Sequence, residues 1–433
     1  MAVALLALIA VSASAPRPER EVLIAVTSNV QGLLTTCGTC DYVKVGGMAQ
    51  KAVMLQNWRR QAKGALIVLD SGDAINFGDG GRSMPIMLRA MDMCGYAFSN
   101  VGDGDSAYGL AALRAAARGL KLRLLSTNML DVSTGKPAFL TAGILQANGV
   151  RIGILGILDD SAVQGGYKGA GDYRLQDPVD SISRTLASSG IKRWADIVVL
   201  LAHAPAEKIT LIAEKVPEID LVVGGSEHAR PPEPKLLHGA LYIRPHRYEV
   251  GLVRFAVHPK TGPKPISWKL FTVLKSAPKD PRVEAIISRG LKHESDPTPP
   301  WIGQAAPEIV LPSENGGLRR LSEFRGRKVV LGFFDFCQEC LATARKLSRL
   351  PGKPAVIGLV PFGKKDMRAF RRATGADMLF LRDENGAAAT RYGAARCPSL
   401  FVVSEKGELL YASRSFDPSA PGAVRRILEK AAP

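Results

Sequence analysis

Phe333-Phe334-Asp335-Phe336-Cys337-Gln338-Glu339-Cys340 holds a complete piece of chemistry in consecutive residues. The apolar run Lys328-Val329-Val330-Leu331-Gly332-Phe333-Phe334 before it reads as a buried strand. Leu341-Ala342-Thr343-Ala344-Arg345-Lys346-Leu347 after it reads as a helix. A strand, a Cys-x-x-Cys and a helix place the first thiol, Cys337, at a helix N-terminus, where unpaired backbone N–H groups favour the thiolate. Cys340 lies one turn on and can close a disulfide. A thiol of lowered pKa attacks a disulfide well, and its neighbour resolves the mixed disulfide. The same spacing also suits a structural disulfide or half of a zinc site, although no second Cys-x-x-Cys stands close by in sequence.

Working outward, 433 residues are enough for two or three domains, and 46% apolar residues are enough for a core. The net charge of +17 raises nucleic acid or an anionic membrane as partners. No run of five basic residues and no basic-aromatic recognition motif occurs, so no nucleic acid is expected and a solvated basic surface is. Peripheral membrane association stays open.

Residues 2–11 are apolar, and Ser12-Ala13-Ser14-Ala15 supplies small residues for cleavage, so 1–15 reads as a signal peptide. An uncleaved anchor is the alternative. Export to the periplasm or cell envelope follows, where disulfides persist. Six cysteines fit that setting: Cys37, Cys40, Cys94, Cys337, Cys340 and Cys397. Cys37 and Cys40 read as a local disulfide or a redox partner, and Cys94 as buried. Gly78-Asp79-Gly80-Gly81 is followed by no Lys-Ser or Lys-Thr, which argues against a nucleotide phosphate loop.

From 21 to 294 strands alternate with helices, which means an α/β domain. Strands are expected at 22–27, 66–70, 122–126, 143–146, 150–158, 197–202 and 221–225, with helices at 47–61, 111–119, 178–189 and 206–215. Met48, Val53, Met54 and Trp58 are the expected buried face of the first helix. The segment 239–258 reads as paired strands with a turn at 260–263. The carboxyl ends of the strands carry Asn29, Gln31, Asp70, Asp73, residues 100–105, Asn128, His203 and residues 226–228, and such ends converge on one edge.

Five blocks in this region resemble the metallophosphoesterase family, most closely its 5'-nucleotidase branch. They are Thr27-Ser28-Asn29-Val30-Gln31-Gly32, Asp70-Ser71-Gly72-Asp73, Val101-Gly102-Asp103-Gly104-Asp105, Leu200-Leu201-Ala202-His203 and Gly224-Gly225-Ser226-Glu227-His228. The resemblance implies a calcineurin-like sandwich of two sheets flanked by helices, with metal held by Asp73, Asp103, His203 and His228, and by Asn29 and Gln31 in the first block. This chain departs from the family pattern. Asn29 and Gln31 stand where the family has Asp and His, Asp103 where it has the ligand Asn, Gly104 where it has the acid His, and Ser226 where it has a His. Two divalent ions need several anionic and imidazole ligands. Amide oxygens bind transition metals weakly, so one divalent metal (Mn, Zn or Fe) is the expected cofactor at most.

The stretch 295–301 is a proline-rich linker. From 302 to 433 the order of elements, with Cys-x-x-Cys after the central strand, resembles the thioredoxin-like superfamily. The alkyl hydroperoxide reductase/thiol-specific antioxidant (redoxin) domains and the envelope thioredoxins are the nearest branch. Ala306-Pro307, Leu321-Ser322-Glu323-Phe324-Arg325-Gly326, Cys337, Cys340 and Cys397-Pro398-Ser399-Leu400-Phe401-Val402-Val403 carry the resemblance. It implies a cis Pro398 facing the disulfide and Cys397 close to Cys337. A peroxidase of this group has Thr or Ser three residues before its reactive cysteine, and Phe334 stands there.

The leading expectation is an exported thiol–disulfide oxidoreductase acting on protein thiols and disulfides of the envelope. Cys337, Cys340, Pro398 and Cys397 form its site, and a degenerate metallophosphoesterase-like domain serves recognition. A metal-dependent phosphohydrolase with an accessory redox domain and a non-enzymatic binding protein are the alternatives.

Overall fold

The computed structural model describes residues 19–429 except 36–44, 76–80, 82, 163–170, 226–232, 294–301, 315, 335–337, 352–353, 361–363, 384–386, 395–397, 414–416 and 418. The signal-peptide reading of 1–15, the linker 295–301 and five singled-out residues (Cys37, Cys40, His228, Cys337 and Cys397) lie outside the described residues.

The first part of the chain builds two six-stranded sheets. One orders the strands Gly262–Thr272, Glu249–His258, Arg20–Thr27, Leu66–Asp70, Phe98–Asn100 and Arg123–Leu125. The other orders Lys235–Leu237, Ala240–Ile243, Leu221–Gly224, Ile197–His203, Val150–Leu158 and Gly143–Ala147. In each, the central strands are parallel and hydrogen-bonded in register, as in Thr27 against Asp70 and Leu158 against His203. The strands are β-branched and apolar on both faces, as strands covered on both sides must be. Val22, Ile24, Leu69, Val150, Ile154, Val199, Leu201 and Val223 fill the space between the sheets. The helices Met48–Gln61 and Met84–Cys94 cover the outer face of the first sheet, and Pro178–Ser189 and Ala206–Lys215 that of the second. This is the expected sandwich flanked by helices.

Two details depart from the sequence reading. Ala240–Ile243 and Glu249–His258 do not pair with each other. The former runs parallel to Leu221–Gly224 in the second sheet, while the latter lies antiparallel to Arg20–Thr27 in the first. The connection between them crosses the sandwich and is tied down by Ser28 Oγ, which donates to the Pro245 carbonyl at 2.7 Å. Both strands are apolar enough to sit in either sheet, so pattern alone did not separate them. In the helix Met48–Gln61 the buried face is Met48, Ala49, Lys51, Ala52 and Leu55. The 3.6-residue period sets that stripe through Met48, Ala52 and Leu55. Met54 and Trp58 pack half-buried at its margin, and Val53 lies off it.

The last part of the chain forms a five-stranded sheet in the order Leu379–Arg382, Ala355–Val360, Val329–Phe333, Ser399–Val403, Leu409–Ser413. Its first three strands are parallel, and the last two are antiparallel to their neighbours. Leu331, Ile357, Tyr392 and Phe401 pack on one face, and Val330, Phe334, Cys340, Met367 and Phe370 on the other. This is the thioredoxin-like order of elements. Phe370 stacks tilted on Phe334 at 5.8 Å and edge-on to Phe380 at 5.6 Å, and all three are fully buried. Phe370→Ala is therefore expected to cost about 3–5 kcal/mol, read as a lowered urea midpoint.

Candidate functional site

Parallel strands in both sheets end at the same edge, so Thr27, Asp70, Asn100, Leu158, His203 and Gly224 are each followed by a loop that opens there. Two of these loops zip together through backbone bonds, Asn29 N to Gly72 O at 3.0 Å, Gln31 N to Asp73 O at 2.8 Å and Gly32 N to Ala74 O at 2.9 Å. The zipper holds Asn29, Gln31 and Asp73 in left-handed backbone conformations (φ 47°, 46° and 57°), which non-glycine residues adopt only when their surroundings impose them.

Asp73, Asp103 and His203 converge from three different strand ends. His203 Nε2 lies 3.1 Å from Asp103 Oδ1 and 3.6 Å from Asp73 Oδ2. One ligand atom from each residue falls within 4.8 Å of the others, and all three side chains are at least 95% buried. The other oxygen of Asp73, Oδ1, accepts the Gly104 amide at 2.9 Å. Gly102 lies against that oxygen so closely that a Cβ there would come within 2.2 Å of it. Gly225 also packs closely, since a Cβ would lie 3.0 Å from Ser71 Oγ and 3.1 Å from His203 Nδ1. Asn29 Oδ1 borders the same glycine, on the Nδ1 side of the imidazole.

The electrostatics follow from this packing. Burial works against a charge on His203, but the carboxylates of Asp73, Asp103 and Asp105 overcome it and lift the imidazole to about 9. Burial raises the Asp73 carboxyl well above the ordinary range, with His203 opposing. A carboxylate–imidazole set of this kind fits a divalent ion such as Mn, Zn or Fe.

One organising residue escaped the sequence reading. Asp105 accepts three backbone N–H groups, from Asp73 at 2.7 Å, Gly102 at 2.9 Å and Ile75 at 3.0 Å. It thereby clamps the Asp73 loop to the Asp103 loop. The available signal was its place three residues after Gly102, the spacing at which an acidic side chain reaches back to a cap amide. Asn100 adds a link between the sheets, with Nδ2 donating to Ser71 O at 3.1 Å and Ile157 O at 2.9 Å. Asp70, by contrast, stands apart from the cluster. It accepts from Thr27 Oγ1 at 2.5 Å, Gly72 N at 2.9 Å and Ser99 Oγ at 3.1 Å, and burial pushes it up to about 6. Near it Lys51 is fully buried, and that burial lowers its ammonium to about 8 against the pull of Asp70.

In the last part of the chain, the central strand Val329–Phe333 leads into the Cys-x-x-Cys, and Cys340 lies buried in the helix Gln338–Leu347. Phe334, Ala344, Leu347, Val360 and Met367 share its core. Phe333 pairs with Ser399 across the sheet, so Pro398, also buried, sits beside the strand end from which the cysteines follow. Among the described residues no helix is long and apolar enough to cross a membrane.

Comparison with known proteins agrees with both halves. Residues 302–412 match the AhpC/TSA family. The first part is similar to a Yersinia enterocolitica 2',3'-cyclic-nucleotide 2'-phosphodiesterase/3'-nucleotidase, 26% identical over 212 residues, which is 42% of this chain and 32% of that protein. A Vibrio cholerae 5'-nucleotidase is 25% identical over 206 residues, 43% of this chain and 36% of that protein. The chain therefore spans about a third of the length of these relatives. Among solved structures, the calcineurin-like phosphoesterase YfkN of Bacillus subtilis superposes with a TM-score of 0.53 at 17% identity, covering 64% of this chain and 98% of that one. The NAD nucleotidase of Haemophilus influenzae gives 0.55 at 16% identity, covering 72% of this chain and 71% of that one. At such identities the likeness is one of fold.

Proposed function

We propose that this chain, an AhpC/TSA domain joined to a domain of calcineurin-like phosphoesterase fold, is an exported thiol–disulfide oxidoreductase whose N-terminal domain serves recognition. The observation that carries the reading is the placing of Cys340. It is buried in the first turn of the helix that follows the central strand, whose last residue, Phe333, pairs with Ser399 beside Pro398, within the segment matching the AhpC/TSA family.

In this reading the Cys337 thiolate attacks one sulfur of a substrate disulfide. A mixed disulfide forms, and the other substrate sulfur leaves as a thiolate that takes up a proton. Cys340 then attacks the Cys337 sulfur and releases the second substrate thiol. The substrate disulfide is reduced, the chain's dithiol is oxidised, and an external dithiol returns it to the reduced form. Glu339, between the two cysteines, opposes the thiolate and biases the pair toward a reductant. Phe334, where a peroxidase of this group would have Thr or Ser, favours disulfide exchange over peroxide chemistry. Cys397 lies next to Pro398 in sequence and would border the reacting sulfurs.

The N-terminal cleft supports binding better than hydrolysis. Asn29 and Gln31 are neutral, and at the position where the family carries an imidazole acid, Gly104 offers a backbone amide that donates to Asp73. A missing general acid removes about 10²–10⁴-fold in rate. A divalent cation bound here would supply Lewis acidity, with Asp73, Asp103 and His203 holding it. Export is supported by the apolar run 2–11 before Ser12-Ala13-Ser14-Ala15 and by the cysteine content. The partners are then envelope protein thiols and disulfides.

The retained Asp73–Asp103–His203 cluster favours a second reading, metal-dependent phosphoester hydrolysis. Reduction of a disulfide substrate by the full chain, compared with Cys337→Ser, tests the first reading. Manganese-dependent nucleotide hydrolysis lost in His203→Ala is what the second requires.

A further inference from the structure

The fold family implies two divalent ions in the N-terminal cleft, and the residues present do not fit two. We propose that the cleft takes a single divalent cation, held by Asp73 Oδ2, Asp103 Oδ1 and His203 Nε2, and that Asp103 is the ligand that makes this one-ion site self-sufficient. The inference concerns the N-terminal cleft alone and does not depend on the redox reading.

Charge favours a single ion. One divalent ion brings two positive charges, and the carboxylates of Asp73 and Asp103 match them. A third carboxylate, Asp105, is committed to the loops instead, accepting three backbone N–H groups at 2.7–3.0 Å. Two ions would bring four positive charges into a site whose described side chains are at least 95% buried, against two ligating carboxylates among the described residues. An unmatched double charge out of water costs several kcal/mol per ion even after relaxation, and the ions of a pair stand only about 3.5–4 Å apart.

Geometry favours one ion as well. The one-ion ligand atoms already lie within 4.8 Å of one another, so a cation can take the place of the Nε2 proton of His203 between the two carboxylates. Asp73 Oδ1 accepts the Gly104 amide at 2.9 Å, which leaves Oδ2, the oxygen nearer His203, to meet the ion. On the side where a second ion would sit, the first block offers only amides, and amide oxygens compete poorly with imidazole and carboxylate for transition metals. Asn29 Oδ1, which with His203 Nδ1 borders Gly225, is such an amide oxygen. The carboxylate absent at Asn29 is in effect present at Asp103, on the side where His203 stands.

Manganese titration of the full chain followed by electron paramagnetic resonance tests this, because Mn²⁺ prefers oxygen and nitrogen donors and leaves the cysteines aside. The expected result is one equivalent bound, with the six-line spectrum of an isolated ion. Asp103→Asn, nearly isosteric, is expected to weaken Mn²⁺ binding by about 100-fold or more, since loss of even an outer-shell partner costs 10–100-fold. Its circular dichroism and melting show whether the fold persists, and the wild-type stoichiometry stands as a test on its own. Two equivalents with an exchange-broadened spectrum, no binding at all, or Asp103→Asn binding as tightly as the wild type would each overturn the proposal.

Discussion

Asp105→Ala is expected to destabilise the N-terminal domain by at least about 3 kcal/mol, the largest effect foreseen for any single polar side chain there. Three buried backbone donors, those of Asp73, Ile75 and Gly102, lose their common acceptor at once. Each buried donor left without a partner costs about 1–3 kcal/mol. The loop bearing Asp73 is held with φ at 57° and Gly72 at 106°, so it has no relaxed conformation to fall back on while the fold persists. Urea unfolding followed at the N-terminal domain's tryptophans should show the midpoint fall, and Mn²⁺ binding should weaken with it. Disulfide reduction by the last domain should survive. A change within about 0.5 kcal/mol would mean that the clamp between the two loops is not what sets their geometry.

Cys340→Ser is expected to stop turnover while leaving the first step intact. Cys337 would still attack a disulfide, but nothing would resolve the product, so the chain should accumulate covalently joined to half of its substrate. Mass spectrometry under non-reducing conditions reads this directly as an added mass that dithiothreitol removes. Cys340 is fully buried among Phe334, Ala344 and Leu347, so the serine hydroxyl replaces a thiol in an apolar pocket, and a modest loss of stability should accompany the block. An adduct formed equally by the Cys337→Ser variant would assign the attacking sulfur elsewhere in the chain.

Much of this was legible in the residues because the decisive signals are local. Val329-Val330-Leu331-Gly332-Phe333 ahead of a Cys-x-x-Cys can hardly be anything but a buried strand entering a redox-type turn, and the structure has Val329–Phe333 as the central strand. Asp73, Asp103 and His203 could be singled out because each ends an apolar strand or opens the loop just after it, and parallel strands deliver such residues to one edge. What was hidden depends on contacts distant in sequence. The helix at 48–61 was visible, but Lys51 on its buried face was not, since the charge that opposes its burial comes from Asp70 of another element. The partition of Ala240–Ile243 and Glu249–His258 between two sheets depends on a crossing loop fixed by Ser28, more than two hundred residues earlier. Asp105 looked like one more acid in a polar block, because its role lies in three amides of which two belong to another loop.

The most direct test of the division of labour between the two halves is disulfide reduction by the full chain after exhaustive chelation of divalent metals. With excess dithiol as donor, the rate should match that of the untreated chain, and Cys337→Ser should fall to the uncatalysed background under both conditions. A rate abolished by the chelator and restored by manganese, or one that Cys337→Ser leaves unchanged, would contradict the assignment of the working chemistry to the last domain.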